Sequence, residues 1–386
     1  MGAKHVQKYE VNLMKILSVS SSWSLDAASW RILNIARLLR SSGHEVHTIH
    51  YVSKSTYEWL EKQGYSSIKD DFVIVANKHN VHLKHLNLLK KGDYDLVYGN
   101  THDGAFCALL GKLTNIPLIF DMHGGIVEEF LLNNSFNMSS SYSYGWLFSH
   151  ALDFLDLSLS NRIICVSNKM IDYLNEHKSI PKEKMAYVTN GVDLDFFRPV
   201  DGERVNDMKR QLGLEGKFVI GYLGAFDKWQ GVENFIRAAE AVRIKDLAFL
   251  IVGGNEKKIT ANTIVLPRVD RNQIPCYYSI CDVLVLPRPS HPATEIAAPT
   301  KFGEYASMGK PILTTSVGDA GLLVKKYKCG IVVPDNSVQN LVKGISEFSN
   351  ASKRDLTLMG ISSRKLAETE FDWNKVGKCL EDAIRL

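Results

Sequence analysis

Several features are missing from these 386 residues, and each absence removes a class of protein. No apolar run approaches the length of a membrane-spanning helix, and no secretory leader is visible at the start, so a cytoplasmic protein is expected. The six cysteines, Cys107, Cys165, Cys276, Cys281, Cys329 and Cys379, form no C-x-x-C pair and mostly sit inside apolar runs. Reduced core thiols are expected. G-x-G-x-x-G is absent, which counts against a dinucleotide dehydrogenase. No carboxylate pair of the glycosidase kind is identifiable. A net charge of only +4 gives no argument for a nucleic acid partner, and is compatible with a peripheral contact at an anionic inner membrane face. Met1-Gly2 invites myristoylation, but Val6 stands where that motif wants Ser or Thr.

What is present, 45% apolar and 23% charged residues, is the composition of a globular protein. The length exceeds what one core usually supports, so two domains are expected. Residues 1–13 are polar and unpatterned, and regular structure is expected from Met14. Lys15 to Ser20 reads as a buried strand, followed by a helical period through Ile32, Ile35, Ala36 and Leu39, a stop at Gly43 and a new strand from Glu45. This opens a doubly wound α/β domain, which binds ligands outside the carboxyl ends of its strands. The Ser20 to Asp26 loop, with Ser22 and Trp23, would face that crevice. Two further strand ends carry histidines, in Gly99-Asn100-Thr101-His102-Asp103 and Asp121-Met122-His123-Gly124-Gly125. Phe130 to Tyr144, rich in Ser, Asn and Tyr, reads either as a mobile lid with stacking aromatics or as a disordered connector. The second half repeats the alternation, with strands at Phe218 to Tyr222, Leu247 to Val252, Ile264 to Leu266 and Asp282 to Leu286. His291 to Ala298 reads as an irregular loop.

The segment Ala298 to Thr315, A-P-T-K-F-G-E-Y-A-S-M-G-K-P-I-L-T-T, concentrates the chemistry. Pro299 disfavours helix before it and can open one after it, which puts free N–H groups at Thr300 to Gly303. A helix start is an anion site, and Lys301 adds a cation. Glu304, one turn in, can accept hydrogen bonds from a vicinal diol such as a ribose. Gly309 closes the helix and Lys310-Pro311 forbids its continuation, so Ile312 to Thr315 becomes a short buried strand. The same letters also fit an ordinary capped surface helix with solvated Lys301 and Glu304.

The segment resembles the signature helix of the retaining, nucleotide-sugar-dependent glycosyltransferases of family four, in the variant P-x-K-x-x-E-Y-x-x-x-G-K-P. Val188 to Pro199, V-T-N-G-V-D-L-D-F-F-R-P, resembles that family's interdomain segment. The resemblance covers nearly all of Met14 to Leu386 and implies the GT-B fold, two doubly wound Rossmann-like domains facing across a cleft. By implication residues 1–198 form the acceptor-side domain, 199–370 the donor-side domain, and 371–386 a terminal helix crossing back to the first.

The implied activity is transfer of a sugar, with retention, from a nucleotide diphosphate-sugar donor to a hydroxyl of a glycan, lipid-linked or small-molecule acceptor, with neither metal nor cofactor. Glu304 takes the ribose, and His123 lies beside the transferred sugar. Lys301 and Lys228 take the diphosphate charge, with Arg268 or Arg288 as further candidates. Pro299, Thr300, Phe302, Gly224, Arg268, Val269 and Glu295 line the donor, and Ser22, Trp23 and His102 lie on the acceptor side. Two departures from the family pattern stand out. Its first glutamate falls at Ile296, one position after Glu295, and its arginine and lysine after the first strand of the second domain fall at Ala225 and Gln230. A nucleotide-sugar epimerase or phosphorylase on the same fold, or a catalytically silent nucleotide-binding protein, remain alternatives.

Overall fold

The structure, a computed structural model, describes residues 13–20, 27–52, 54–55, 57–58, 73–75, 81–134, 140–256, 258–260 and 262–386. Ser22 and Trp23 lie outside the described residues.

Strands β1 (Lys15–Ser20), β2 (Glu45–Val52), β3 (Val73–Val75), β4 (Leu96–Asn100), β5 (Leu118–Met122), β6 (Arg162–Cys165) and β7 (Met185–Tyr187) form one sheet. Its order is β3-β2-β1-β4-β5-β6-β7. Strands β8 (Phe218–Leu223), β9 (Leu247–Gly254), β10 (Lys258–Ile259), β11 (Thr263–Pro267), β12 (Val283–Leu286), β13 (Ile312–Thr315) and β14 (Gly330–Val333) form the other, in the order β10-β11-β9-β8-β12-β13-β14. Neighbours β8–β9, β9–β11, β8–β12, β12–β13 and β13–β14 run parallel, and among the described residues of this sheet β10 alone pairs antiparallel, with β11. In each sheet the strand order reverses once near the centre, at β1/β4 and at β8/β12. Both are doubly wound Rossmann-like sheets, and a ligand crevice belongs outside the carboxyl ends of the strands where the order reverses.

By internal contacts the chain forms two compact units, one of Met1–Asp121, Leu155–Ile163 and Leu386, the other of Met122–Phe154 and Ile164–Arg385. The division therefore does not fall at a single point on the chain. The turn carrying His123 belongs to the second unit.

Strand periodicity builds the core of that unit. Along β8, Val219 and Leu223 join one apolar cluster while Ile220 and Tyr222 join another. Along β9, Ala248, Leu250 and Val252 alternate in the same way with Leu247, Phe249 and Ile251. Side chains two apart share a face, so each apolar run covers both faces of the sheet.

Two expectations about loops give way to helix. The stretch read as a lid or connector is largely helical: Phe130 ends in the helix Ile126–Asn133, and Tyr142 and Tyr144 lie in the helix Ser140–Leu159. Residues 135–139 fall outside the described set. The reason is that the helix Ser140–Leu159 buries Leu152 and Leu157 beside two polar anchors. Asp153 is held by Lys178 at 2.9 Å and Asp156 by His102 at 3.1 Å, while Leu147 and Phe154 are exposed. Likewise His291–Ala298 contains a short helix, Pro292–Ile296, started by Pro292 and by reciprocal bonds between His291 and Thr294. All six cysteines are free thiols, five of them buried and Cys379 exposed.

Candidate active site

The helix Thr300–Ser307 begins after extended Pro299 and ends at Gly309, whose φ of +62° only glycine adopts without strain. Its inward residues Phe302, Tyr305 and Ala306 are core. Phe302 stacks edge-on against Phe371 at 5.5 Å, so the part of it at the helix start is its backbone rather than its ring. The expected row of free N–H groups is shortened, because the Phe302 N–H donates to the Pro299 carbonyl at 3.0 Å.

Lys301 and Glu304 sit three residues apart and share one face. Both side chains are half-buried. Lys301 Nζ donates to Tyr222 Oη at 3.0 Å and Gln230 Oε1 at 2.9 Å, and lies 4.4 Å from the Tyr222 ring centroid. No carboxylate is within ion-pair distance of it among the described residues. Burial, then the Arg288 charge, pull its pKa down to about 7, against the weaker pull of Glu304 and Asp227. The ammonium also explains Gly224, which follows β8 at φ +150°: a Cβ there would lie 2.2 Å from Lys301 Nζ.

Glu304 Oε2 accepts from the buried Tyr278 hydroxyl at 2.6 Å. Burial pushes the Glu304 carboxyl upward, and the Tyr278 hydrogen bond, Arg271 and Lys301 hold it back. The second oxygen, Oε1, is the one left to meet a ligand. Tyr222 and Tyr278 were not singled out in the sequence. A tyrosine in the middle of an apolar run is the available signal, since its hydroxyl must find a polar partner when buried.

Two family models match the chain: Glycosyltransferase Family 4 over residues 28–196 and Glycosyl transferases group 1 over residues 204–359. The chain belongs to glycosyltransferase family 4. One similar protein is the UDP-Gal:alpha-D-GlcNAc-diphosphoundecaprenol alpha-1,3-galactosyltransferase of Escherichia coli, 25% identical over 67% of this chain and 67% of that one. Another is the GDP-mannose-dependent alpha-(1-6)-phosphatidylinositol monomannoside mannosyltransferase of Mycobacterium tuberculosis, 23% identical over 53% of this chain. That match spans only 57% of the mannosyltransferase, little more than half its length. Among solved structures, Anabaena HepE in complex with UDP superposes with a TM-score of 0.74 at 17% identity, covering 96% of this chain and 99% of HepE. WaaG, a glycosyltransferase involved in lipopolysaccharide biosynthesis, gives 0.69 at 15% identity, covering 97% and 100%. These likenesses give the fold as GT-B.

The remaining candidates of this glycosyltransferase divide by position. Glu295 is committed within the protein: Oε1 accepts from Ser290 Oγ at 3.0 Å, and Oε2 from the Gly318 N–H at 2.7 Å, where the helix Gly318–Tyr327 begins. Lys228 and Arg268 are exposed, in the turn after β8 and just past β11, and Val269 packs against the core. Pro299 and Thr300 line a shallow recess with Asn190 and Asp319. His123 follows β5 directly, and the Gly124-Gly125 turn after it packs against Ile296, where a Cβ on Gly125 would come 2.9 Å from Ile296 Cδ1. His102 is buried in the other unit, its Nδ1 3.1 Å from Asp156 and its ring edge-on to Phe120 at 4.9 Å. The structure thus brings together Lys301, Glu304 and Gly224 and sets His123 and Glu295 on neighbouring segments of the same unit, while His102 belongs to the other unit.

Proposed function

We propose that this glycosyltransferase moves a hexosyl group, with retention at the anomeric carbon, from a nucleoside diphosphate-sugar to a hydroxyl of a glycan or lipid-linked acceptor. The observation that carries the reading is the pairing of Lys301 and Glu304 on one helical face, a cation without a carboxylate partner beside a carboxylate with one oxygen to spare. The cation answers a diphosphate and the carboxylate a ribose diol. The donors named for the two relatives, UDP-Gal and GDP-mannose, and their lipid-linked acceptors are of the same classes.

In this reading the bond between the sugar's C1 and the diphosphate oxygen breaks, and the electron pair leaves with the diphosphate. Lys301 stabilises that charge as it develops, which lowers the barrier more than it strengthens ground-state binding. The acceptor oxygen bonds to C1 on the same face, and its proton passes to the departing diphosphate. His123 contacts the sugar. No carboxylate acts as a covalent nucleophile, and the co-substrate replaces any cofactor.

The test is a thermal-shift panel of UDP, GDP, ADP and TDP with their common sugar conjugates. Marked stabilisation by one base is expected, because a ligand that binds only the native state raises its stability. Release of free sugar from that conjugate would then distinguish an active enzyme from a silent binder. No shift with any nucleotide would overturn the proposal.

A further inference from the structure

The family's two basic residues after β8 are replaced here by Ala225 and Gln230, yet the space they would serve is not empty of charge. Gln230 Oε1 holds the Lys301 ammonium at 2.9 Å, so a cation rooted on the helix Thr300–Ser307 reaches the end of side chain 230. A second cation comes from the other strand at the point of reversal. Arg288 follows β12, is 6% exposed, and its backbone carbonyl accepts from Thr315 Oγ1 at 2.8 Å. Its Nε has no hydrogen-bond partner, and no carboxylate lies within ion-pair distance of its guanidinium among the described residues. The loop after β8 is pressed against this segment, since a Cβ on Gly231 would lie 2.0 Å from the Pro287 carbonyl oxygen.

Lys301 and Arg288 thus stand close enough for the Arg288 charge to oppose the ammonium, and among the described residues neither has a carboxylate within ion-pair distance. Glu129 and Glu295 act on Arg288 only through the field, and Glu295 is already engaged by Ser290 and Gly318. Burying an unpaired guanidinium beside an ammonium is costly unless an anion completes the set. Two adjacent cations match two adjacent phosphates.

We infer that Arg288 and Lys301 together form the diphosphate-binding pair of this chain, a relocation of the family's two basic positions from the loop after β8 to the ends of β12 and of the following loop. This deepens the function proposed above and rests on it. Arg288 supplies a fork of donors and Lys301 a point charge, so the first orients the diphosphate and the second neutralises it.

The test uses inorganic pyrophosphate, which carries the diphosphate without any base or sugar. Wild type is expected to be stabilised by millimolar pyrophosphate, and Arg288→Met and Lys301→Met each to lose roughly tenfold in affinity. The double variant Lys301→Met/Gln230→Lys returns a cation to the family's position and is expected to recover most of that loss, an outcome that a purely structural role for Lys301 would not give. Should Arg288→Met fold poorly, Arg288→Lys, which keeps the charge and loses the fork, takes its place with a partial loss expected. Unchanged pyrophosphate affinity in the Arg288 variants, or a wild type that binds a nucleoside diphosphate but not pyrophosphate, overturns the inference and leaves the glycosyltransferase reading intact. Failure of every nucleotide to bind overturns both.

Discussion

Raising the pH from 7 to 9 should weaken nucleoside diphosphate binding by up to about fifty-fold. The Lys301 pKa is pulled down to about 7, because burial and Arg288 oppose its charge more than Glu304 and Asp227 favour it. Tyr222, which touches it, stays neutral over this range, its own pKa pushed well up by burial. Half of the molecules therefore carry the ammonium at pH 7 and about one in a hundred at pH 9. If only the charged form binds, the apparent dissociation constant scales with the inverse of that fraction, which gives the fifty-fold limit. Isothermal titration at pH 8, in two buffers of different ionisation enthalpy, should show close to one proton taken up per diphosphate bound. Lys301→Arg, permanently charged, should bind with little pH dependence over the same span. A wild type whose affinity is equal at pH 7 and 9, with no proton exchange, would refute the placement of a titrating cation against the diphosphate.

The same group bears on the stability of the unliganded protein. Its pKa is lower folded (about 7) than unfolded (near 10.5), so between these values the unfolded chain binds more protons and stability rises with pH. Wild type should gain about 2 kcal/mol relative to Lys301→Met between pH 7 and 9, read as the difference of two denaturation series. Glu304→Ala should weaken nucleotide binding while its melting temperature stays close to wild type; a collapse of folding would mark Glu304 as structural instead. Tyr278→Phe, which frees Oε2 of Glu304 to turn away, should cost about 1–2 kcal/mol of nucleotide affinity with nucleoside and nucleotide affected alike, and no change in binding would rule out its orienting role. Gly224→Ala should displace the Lys301 ammonium and reduce diphosphate binding more than it reduces binding of the bare nucleoside, and equal losses would contradict the contact.

Most of the fold was legible in the sequence because it is written as repeated alternation of apolar strands and amphipathic helices. Ile312–Thr315 and the helix Thr300–Ser307 appear where Pro299, Gly309 and Pro311 place them. Serine and tyrosine composition between Phe130 and Tyr144 suggests a lid or connector, and the described part is largely helical because the helix Ser140–Leu159 is anchored further along the chain, at Leu152 and Leu157. Here the buried face mixes Leu152 and Leu157 with Asp153 and Asp156, while Leu147, Phe148 and Phe154 are exposed. At the site, Lys301 and Glu304 could be singled out from the helix start together with the family resemblance, whereas Arg288 could be named only as one of several basic residues. What distinguishes it from Arg268 and Lys228 is burial without a partner, a property of packing between β8 and β12 that no single segment encodes. Glu295 shows the converse: it neighbours the expected position, but its oxygens go to Ser290 and Gly318.

The floor beneath the signature helix is laid by residues far along the chain. Phe371 packs on Phe302, the Val192 N–H donates to the Phe371 carbonyl at 2.7 Å, and Trp373 fills the space left by Gly191. On the ribosome, where folding proceeds from the N-terminus, the helix Thr300–Ser307 emerges long before these supports do. Its first turn leans on Tyr222, Gln230 and Tyr278 from earlier in the chain, but the Phe371 side of its packing waits for the residues that follow the helix Lys353–Leu366. A nascent chain cut short within the helix Lys353–Leu366 would contain every residue assigned to the nucleotide and still lack the Phe371 part of the floor beneath them.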